Sequence, residues 1–129
     1  MISPATAFAA ATVGNSVLCI ALPRDTTRGI YLNGSEIVKN DEATCAWKFF
    51  GVAGLQAAGG LYLAEKLATS KEDKQKINGL IAGGALGNTA LFALNGFCNE
   101  QVKPEMKAIN MAMGVGVAGL AIKSMIDNK

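Results

Sequence analysis

The chain contains no histidine, and only 6% of its 129 residues are aromatic and 17% are charged. Histidine is the commonest general base in enzymes and a common ligand of zinc and of haem iron. We therefore expect neither haem nor zinc, and we predict that the protein is not an enzyme. None of the three cysteines belongs to a CxxC motif, so the sequence does not indicate a thiol-redox site.

An excess of positive charge is also missing. Twelve Lys and Arg against ten Asp and Glu give a formal net charge of only +2, and the basic residues are scattered along the chain. Proteins that bind nucleic acid need a dense basic surface that releases counterions from the phosphates. We exclude nucleic acid as a partner, and nothing in the sequence indicates a soluble substrate.

The residues that remain are mostly apolar and small. Half of the chain is hydrophobic and it contains 15 glycines, a composition typical of closely packed membrane helices. The first apolar run lacks the basic n-region of a secretory signal, so we interpret it as part of the structure. A membrane is thus the predicted surrounding of this chain.

Four long helices are predicted in a single transmembrane domain over residues 1–129. Ser3 with Pro4 marks the first helix start, because Ser caps free amides and Pro lacks one of the amides that would go unpaired. Ser70 and Asp73 form a candidate capping box for the third helix. The apolar parts approach the ~20 residues that a hydrocarbon core requires, although they are shorter in the second and fourth helices. The expected fold is an all-α, antiparallel bundle of four transmembrane helices, at about residues 4–22, 42–67, 71–98 and 104–127.

The polar connection over residues 24–43 contains the sequence YLNGSEIV. Asn33 and Gly34 suit a type I′ turn between two short strand-like runs, so we predict a small hairpin-like loop between the first two helices. The same NGS triplet fits the glycosylation pattern, but the turn explains these residues without a sugar.

Two short similarities suggest that the chain is a duplicated helical hairpin. GNSVLCIAL from Gly14 is similar to GNTALFAL from Gly87, and GVAGL occurs at both Gly51 and Gly116. If these matches reflect a duplication, helices 1 and 2 correspond to helices 3 and 4 about a pseudo-twofold axis along the membrane normal. Chance matches in a chain rich in Gly and Ala are the alternative.

Small residues recur at every fourth position of the third and fourth predicted helices. Such a ridge lets the backbone of another helix approach closely, which is a main source of helix association in lipid. We therefore predict helix packing and tight assembly through Gly79, Gly83, Gly87, Ala108, Ala112 and Gly116.

Three amide side chains lie inside the apolar runs: Asn15, Gln56 and Asn88. An amide in hydrocarbon needs a hydrogen-bonding partner, and Asn15 and Asn88 could supply one to each other across the bundle. The alternative is that these amides are ligands of a bound cofactor, such as the magnesium of a chlorophyll. Chlorophyll, carotenoid and lipid are the candidate bound groups.

The three cysteines are expected to approach the same membrane face. Cys19 ends the first helix, Cys45 begins the second and Cys98 ends the third. If that face is oxidising, Cys45 and Cys98 are the candidate disulfide pair. Free and unreactive cysteines are the alternative.

The central parts of the predicted spans contain no Asp, Glu, Lys or Arg, whereas ion and proton carriers normally need such a residue. We therefore expect a non-catalytic accessory subunit that binds other integral membrane subunits of a large complex. A photosystem–antenna complex of the plastid thylakoid is favoured. The alternatives are a subunit of a respiratory or ATP synthase complex in the mitochondrial inner membrane, a small oligomeric pore or transporter, and a water-soluble helical protein.

Overall fold

The computed structural model describes residues 2–94 and 102–127, and the regular elements in these ranges are all helices. The all-α class predicted from the sequence is thereby confirmed. The helices are α1 Pro4–Ala21, α2 Pro23–Ile30, α3 Gly34–Ile37, α4 Asp41–Leu67, α5 Lys71–Ala93 and α6 Pro104–Asp127.

Local capping explains where the long helices begin. The Ser3 side chain accepts a hydrogen bond from the Thr6 amide at 3.1 Å, and the Ser70 side chain accepts one from the Asp73 amide at 3.0 Å. These contacts satisfy amides that have no partner inside the helix. The capping box predicted at the start of α5 is confirmed, since the Ser70 hydroxyl also donates to the Asp73 carboxylate at 2.6 Å.

Asn40 caps the longest helix, and its removal is expected to destabilise the fold. Its side-chain oxygen accepts hydrogen bonds from the amides of Glu42 at 2.8 Å and Ala43 at 3.2 Å. Asn40→Ala should lower the free energy of unfolding by about 1 kcal/mol, measured by denaturation in detergent. Asn33→Ala is the matched control, because Asn33 precedes α3 without a capping hydrogen bond from its side chain. An equal loss in both variants would contradict the assignment.

The four long helices form two hairpins. α1 packs mainly against α4 and α5 mainly against α6, while contacts between the two pairs are fewer. The accessible surface of 7700 Å² exceeds the roughly 6,500 Å² expected for a compact soluble monomer of this mass. The two antiparallel hairpins are therefore joined to each other over a limited area.

Glycines bring the helices of each hairpin into close contact. A Cβ placed on Gly51 of α4 would lie 2.6 Å from the Ser16 carbonyl oxygen of α1, and one on Gly54 would collide with the Ser16 hydroxyl. In the second hairpin, a Cβ on Gly114 of α6 would collide with the Thr89 hydroxyl and lie 3.1 Å from the Ala85 carbonyl oxygen of α5. In both hairpins, a glycine of the second helix thus faces a hydroxyl residue of the first.

The two hairpins meet in a small core near the start of α1. Ala5, Ile81, Ala82 and Ala121 are all buried and form one cluster. Phe8, Leu61, Ile77, Val117 and Met125 pack around them and are partly buried. Alanine dominates this contact, so the helix axes can approach closely while burying few large side chains.

The predicted hairpin-like loop between the first two long helices is wrong. Asn33 has a φ of −97°, whereas a type I′ turn needs a positive φ at both central residues, and Gly34 already begins α3. Pro23 starts the helix α2 directly after α1, because its fixed φ suits the first turn of a helix. Tyr31 instead forms an isolated antiparallel bridge with Val102, which ties this connection to the residues before α6.

Two of the four predicted spans are supported by length and composition. Among the described residues, α1 and α6 are long and apolar enough to cross a membrane, with mean hydropathies of 1.4 and 1.5. In α4, Lys48 and Glu65 limit the uncharged stretch, and α5 begins with a run of charged residues before Ile77. A bundle with four membrane-spanning helices is therefore supported only in part.

Candidate functional site

Large apolar side chains cover the outside of the long helices. The buried positions of these helices are occupied mostly by small residues, with Ala the most frequent, and Ile81 is the largest almost completely buried side chain among the described residues. The exposed apolar residues include Val13, Val17, Leu18, Phe49, Phe50, Leu63, Leu80, Leu86, Leu91, Ile109, Val115 and Ile122. A soluble protein buries such side chains, whereas membrane helices pack through small residues and turn large ones outward.

The two apolar helices are not core helices of the described fold. Only 22% of the apolar window in α1 and 17% of that in α6 is buried. An apolar helix in the core of a soluble protein is instead surrounded by other elements. Both helices therefore present most of their apolar surface to the surroundings of the chain.

The small-residue ridge of α5 lies on this outer surface. Gly79, Gly83 and Gly87 are exposed, and a Cβ placed on any of them would meet no described atom within 4 Å. No described helix of this chain packs against these glycines, because α5 turns Ile81, Ala82 and other residues inward. Their role in packing against another subunit stays a prediction.

The small residues predicted to pack on α6 also lie on the outer surface. Ala108, Ala112 and Gly116 are exposed, while Gly114, Ala118 and Ala121 face the interior. Because successive helix residues are about 100° apart, a ridge shifted by two positions lies on the far side of the helix. Within the described residues, the bundle therefore packs through the opposite face of α6, and packing of another subunit on Ala108, Ala112 and Gly116 stays a prediction.

The three candidate amide ligands are also exposed. Asn15 lies on α1, Gln56 on α4 and Asn88 on α5, each on the outside of its helix. Asn15 and Asn88 do not form the expected hydrogen bond with each other in the described part of the chain, because both point away from the bundle. Asn88 follows Leu80 and Gly84 at a spacing of four, so it lies on a ridge adjacent to the glycine ridge of α5.

The cysteine prediction is tested only in part. Cys19 is buried and free, and Cys45 is exposed and free. Cys98 lies outside the described residues, so the pairing of Cys45 with Cys98 stays a prediction.

A cleft of about 570 Å³ lies where α1, α2 and α4 meet. Arg24 and Asp41 form an ion pair at 3.1 Å on its rim, but both side chains are more than half exposed. Exposed ion pairs contribute little to stability or to binding. Tyr31 and Trp47 make an edge-to-face contact at 5.9 Å between their ring centroids at this end of the bundle, which suits a boundary between lipid and water.

Residues 2–94 and 102–127 contain no group of three or more His, Cys, Asp and Glu side chains arranged to hold a metal ion. Comparison with known proteins adds no further assignment. No protein family matches the chain, and no match is found among curated proteins or solved structures.

Three separate polar contacts in the structure were not predicted from the sequence. Ser16 and Thr89 each follow an Asn in the two similar segments, and each faces a glycine of the neighbouring helix. Asn78 is buried near the start of α5, although it lies beside a charged segment. The repeated Gly–Asn–hydroxyl pattern was the available signal for the first two, while no pattern in the sequence distinguishes Asn78.

Proposed function

We propose that the protein is a small, non-catalytic accessory subunit of a large membrane protein complex. In this proposal another integral membrane subunit packs on the outer face of α5, which we define as Gly79, Gly83, Gly84, Gly87 and Asn88. The observation that carries the proposal is the exposure of all five residues in a chain whose outer surface is rich in large apolar side chains.

The amide of Asn88 favours a protein partner over lipid at this surface. Moving an amide from water into hydrocarbon without a hydrogen-bond partner costs roughly several kcal/mol of free energy. The adjacent glycines leave room for a second helix backbone to approach Asn88 and to bond with it. A partner helix would therefore satisfy the amide and cover the glycines in one contact.

The favoured host is a photosynthetic supercomplex, and Asn15, Gln56 and Asn88 remain candidate pigment ligands within this proposal. Their exposure means that any chlorophyll or carotenoid bound there would lie between this chain and its neighbour. A respiratory or ATP synthase complex is the alternative host, because the same packing surface serves there without pigments.

The proposal is tested with Gly83→Leu and Asn88→Leu in native membranes that are solubilised in mild detergent and separated on a native gel. Both variants should lower the fraction of the chain in the large complex about tenfold. Overpacking at Gly83 costs roughly 1–3 kcal/mol, and Asn88→Leu removes the hydrogen bond to the partner helix at a similar cost. The stability of the isolated chain should stay unchanged, because a Cβ on Gly83 meets no described atom within 4 Å. Lys71→Ala, outside the apolar part of α5, should be retained like the wild type.

Equal retention of Gly83→Leu and Lys71→Ala would disprove the packing surface on α5. Absorption of the band separates the hosts, because a photosynthetic complex carries pigment and a respiratory complex lacks chlorophyll. Migration as a small colourless oligomer would disprove the accessory role and favour the pore.

A further inference from the structure

We propose that a second cleft, at the end of the bundle where α1 begins, binds a phospholipid headgroup that carries a primary ammonium next to its phosphodiester. The inference rests on the proposed membrane location but not on the proposed partner subunit. The cleft has a volume of about 330 Å³ and is lined by Ser3, Glu65, Lys66, Lys74, Asn78 and Ser124.

The buried amide of Asn78 points to a missing hydrogen-bond donor. Asn78 is only 3% exposed, and its side-chain nitrogen donates to the Ser124 hydroxyl at 3.0 Å. Its side-chain oxygen is buried and has no hydrogen-bond partner among the described residues. A buried acceptor without a donor is destabilising, so a ligand that donates a hydrogen bond to this oxygen would be stabilised by the contact.

Glu65 of α4 supplies a second acceptor that lines the cleft. Its carboxylate accepts a hydrogen bond from the Ser3 hydroxyl at 2.6 Å, which holds it beside the start of α1. A carboxylate has several acceptor positions, so one bond leaves capacity for another donor. A primary ammonium carries three N–H groups and a positive charge, and it can therefore bond to both Glu65 and Asn78.

Two lysines supply the charge for the phosphodiester. Lys74 lies one turn before Asn78 on α5, and Lys66 follows Glu65 at the end of α4 with its ammonium 5.5 Å from the centre of the Tyr62 ring. With Glu65, these residues give the cleft a formal charge of +1. In a headgroup that carries both groups, the phosphate would pair with the two lysines and the ammonium with Glu65.

The position of the cleft favours a lipid as the source of this chemistry. Lys66 and Lys74 flank the connection between α4 and α5, where the apolar parts of both helices end. In the membrane arrangement this level is the interface, where Lys side chains reach headgroups while their stems lie along apolar surface. The cleft volume lies at the lower end of the range for small-ligand sites.

The test is native mass spectrometry of the purified chain in mild detergent, titrated with phosphatidylethanolamine or with phosphatidylcholine of identical acyl chains. The two lipids share the phosphate and differ in N–H donors, because choline is a quaternary ammonium. We expect about fivefold or greater preference for phosphatidylethanolamine, since a hydrogen bond to a charged donor separates them. Asn78→Leu should reduce this preference, because only the Glu65 carboxylate then remains to accept from the ammonium.

Lys74→Gln keeps the inference testable if Asn78→Leu does not fold, because Lys74 is exposed. It should weaken binding of both lipids to a similar extent, since it removes a contact to the shared phosphate. Lys39→Gln is the control, because Lys39 pairs with Glu36 in a separate part of the chain. Equal binding of the two lipids by the wild type would overturn the inference, and so would displacement of the lipid by micromolar free phosphoethanolamine.

Carbonate extraction of the native membranes separates the two proposals. If carbonate releases the chain, the membrane location is wrong, and the headgroup site, which depends on that location, is disproved as well. A chain that stays in the membrane but does not distinguish the two lipids disproves only the headgroup site.

Discussion

Gly51→Leu is expected to separate α1 from α4 and to lower the free energy of unfolding by about 3 kcal/mol or more. A Cβ at this position would lie 2.6 Å from both the Ser16 carbonyl oxygen and Ile20 Cγ1, and 3.2 Å from Cys19 Cβ. The carbonyl belongs to the helix backbone of α1, so it cannot move aside without shifting the helix. The loss is measured by SDS denaturation in mixed micelles, followed by circular dichroism.

Gly59→Leu is the matched control on the same helix. A Cβ on Gly59 meets no described atom within 4 Å, so the added side chain points outward. Its stability should equal or exceed that of the wild type, because replacing Gly in a helix adds up to about 1 kcal/mol through helix propensity. If both variants lose stability equally, the close contact between α1 and α4 at Gly51 is wrong.

Ile81→Ala should destabilise the contact between the two hairpins by about 2–5 kcal/mol. Ile81 is 1% exposed and lies in the cluster with Ala5, Ala82 and Ala121. These neighbours are too small to fill the space that the shorter side chain would leave, so a cavity remains. The effect is measured by the same denaturation, and a spin-label distance between α1 and α6 should become longer and more broadly distributed.

Leu80→Ala provides the control next to it. Leu80 is 68% exposed and points away from this core. The variant should unfold like the wild type, to within about 0.5 kcal/mol. A larger loss for Leu80→Ala than for Ile81→Ala would show that the inner and outer faces of α5 are assigned the wrong way round.

The starts of the long helices were predictable because local chemistry sets them, whereas α5 ends at Ala93 and not at the predicted residue 98. Ser3 and Ser70 each accept a hydrogen bond from an amide of the first turn that follows. Pro23 and Pro104 each begin a helix, because proline has no amide hydrogen that would go unpaired there. None of these effects depends on a neighbouring element. The observed starts of α1, α4, α5 and α6 accordingly agree with the predicted ones to within one residue.

The connection after α1 was predicted wrongly because competing local signals are weak there. Asn33 and Gly34 suit a hairpin turn, but the adjacent Pro23 and the pair of Asp25 with Arg28 favour a helix. Gly34 is instead needed for packing, since a Cβ there would lie 2.6 Å from the Thr27 carbonyl oxygen and from Arg28 Cα. Contacts of this kind are tertiary and cannot be read from a dipeptide.

In the candidate site, too, the sequence predicted a local feature while tertiary contacts decided its orientation. The spacing of Gly79, Gly83 and Gly87 predicts a smooth ridge, and the structure contains that ridge. The four-residue spacing defines a face of the helix but not its direction. The same spacing therefore fits a ridge that packs on a helix of this chain and a ridge that faces outward. Only the position of α5 against α6, with Gly114 next to Thr89, decides that the ridge faces outward.

The sequence by itself determined the helical class, the four long helices and the apolar, small-residue character of their surfaces, because propensity, capping and composition act locally. The tertiary structure decided which small residues lie in contacts, that Asn88 is exposed and that the oxygen of the buried Asn78 has no hydrogen-bond partner among the described residues. The physical reason is that an α-helix rich in Gly and Ala offers several faces of similar packing quality. The choice among them depends on the neighbouring helices, whose contacts exist only in the assembled bundle.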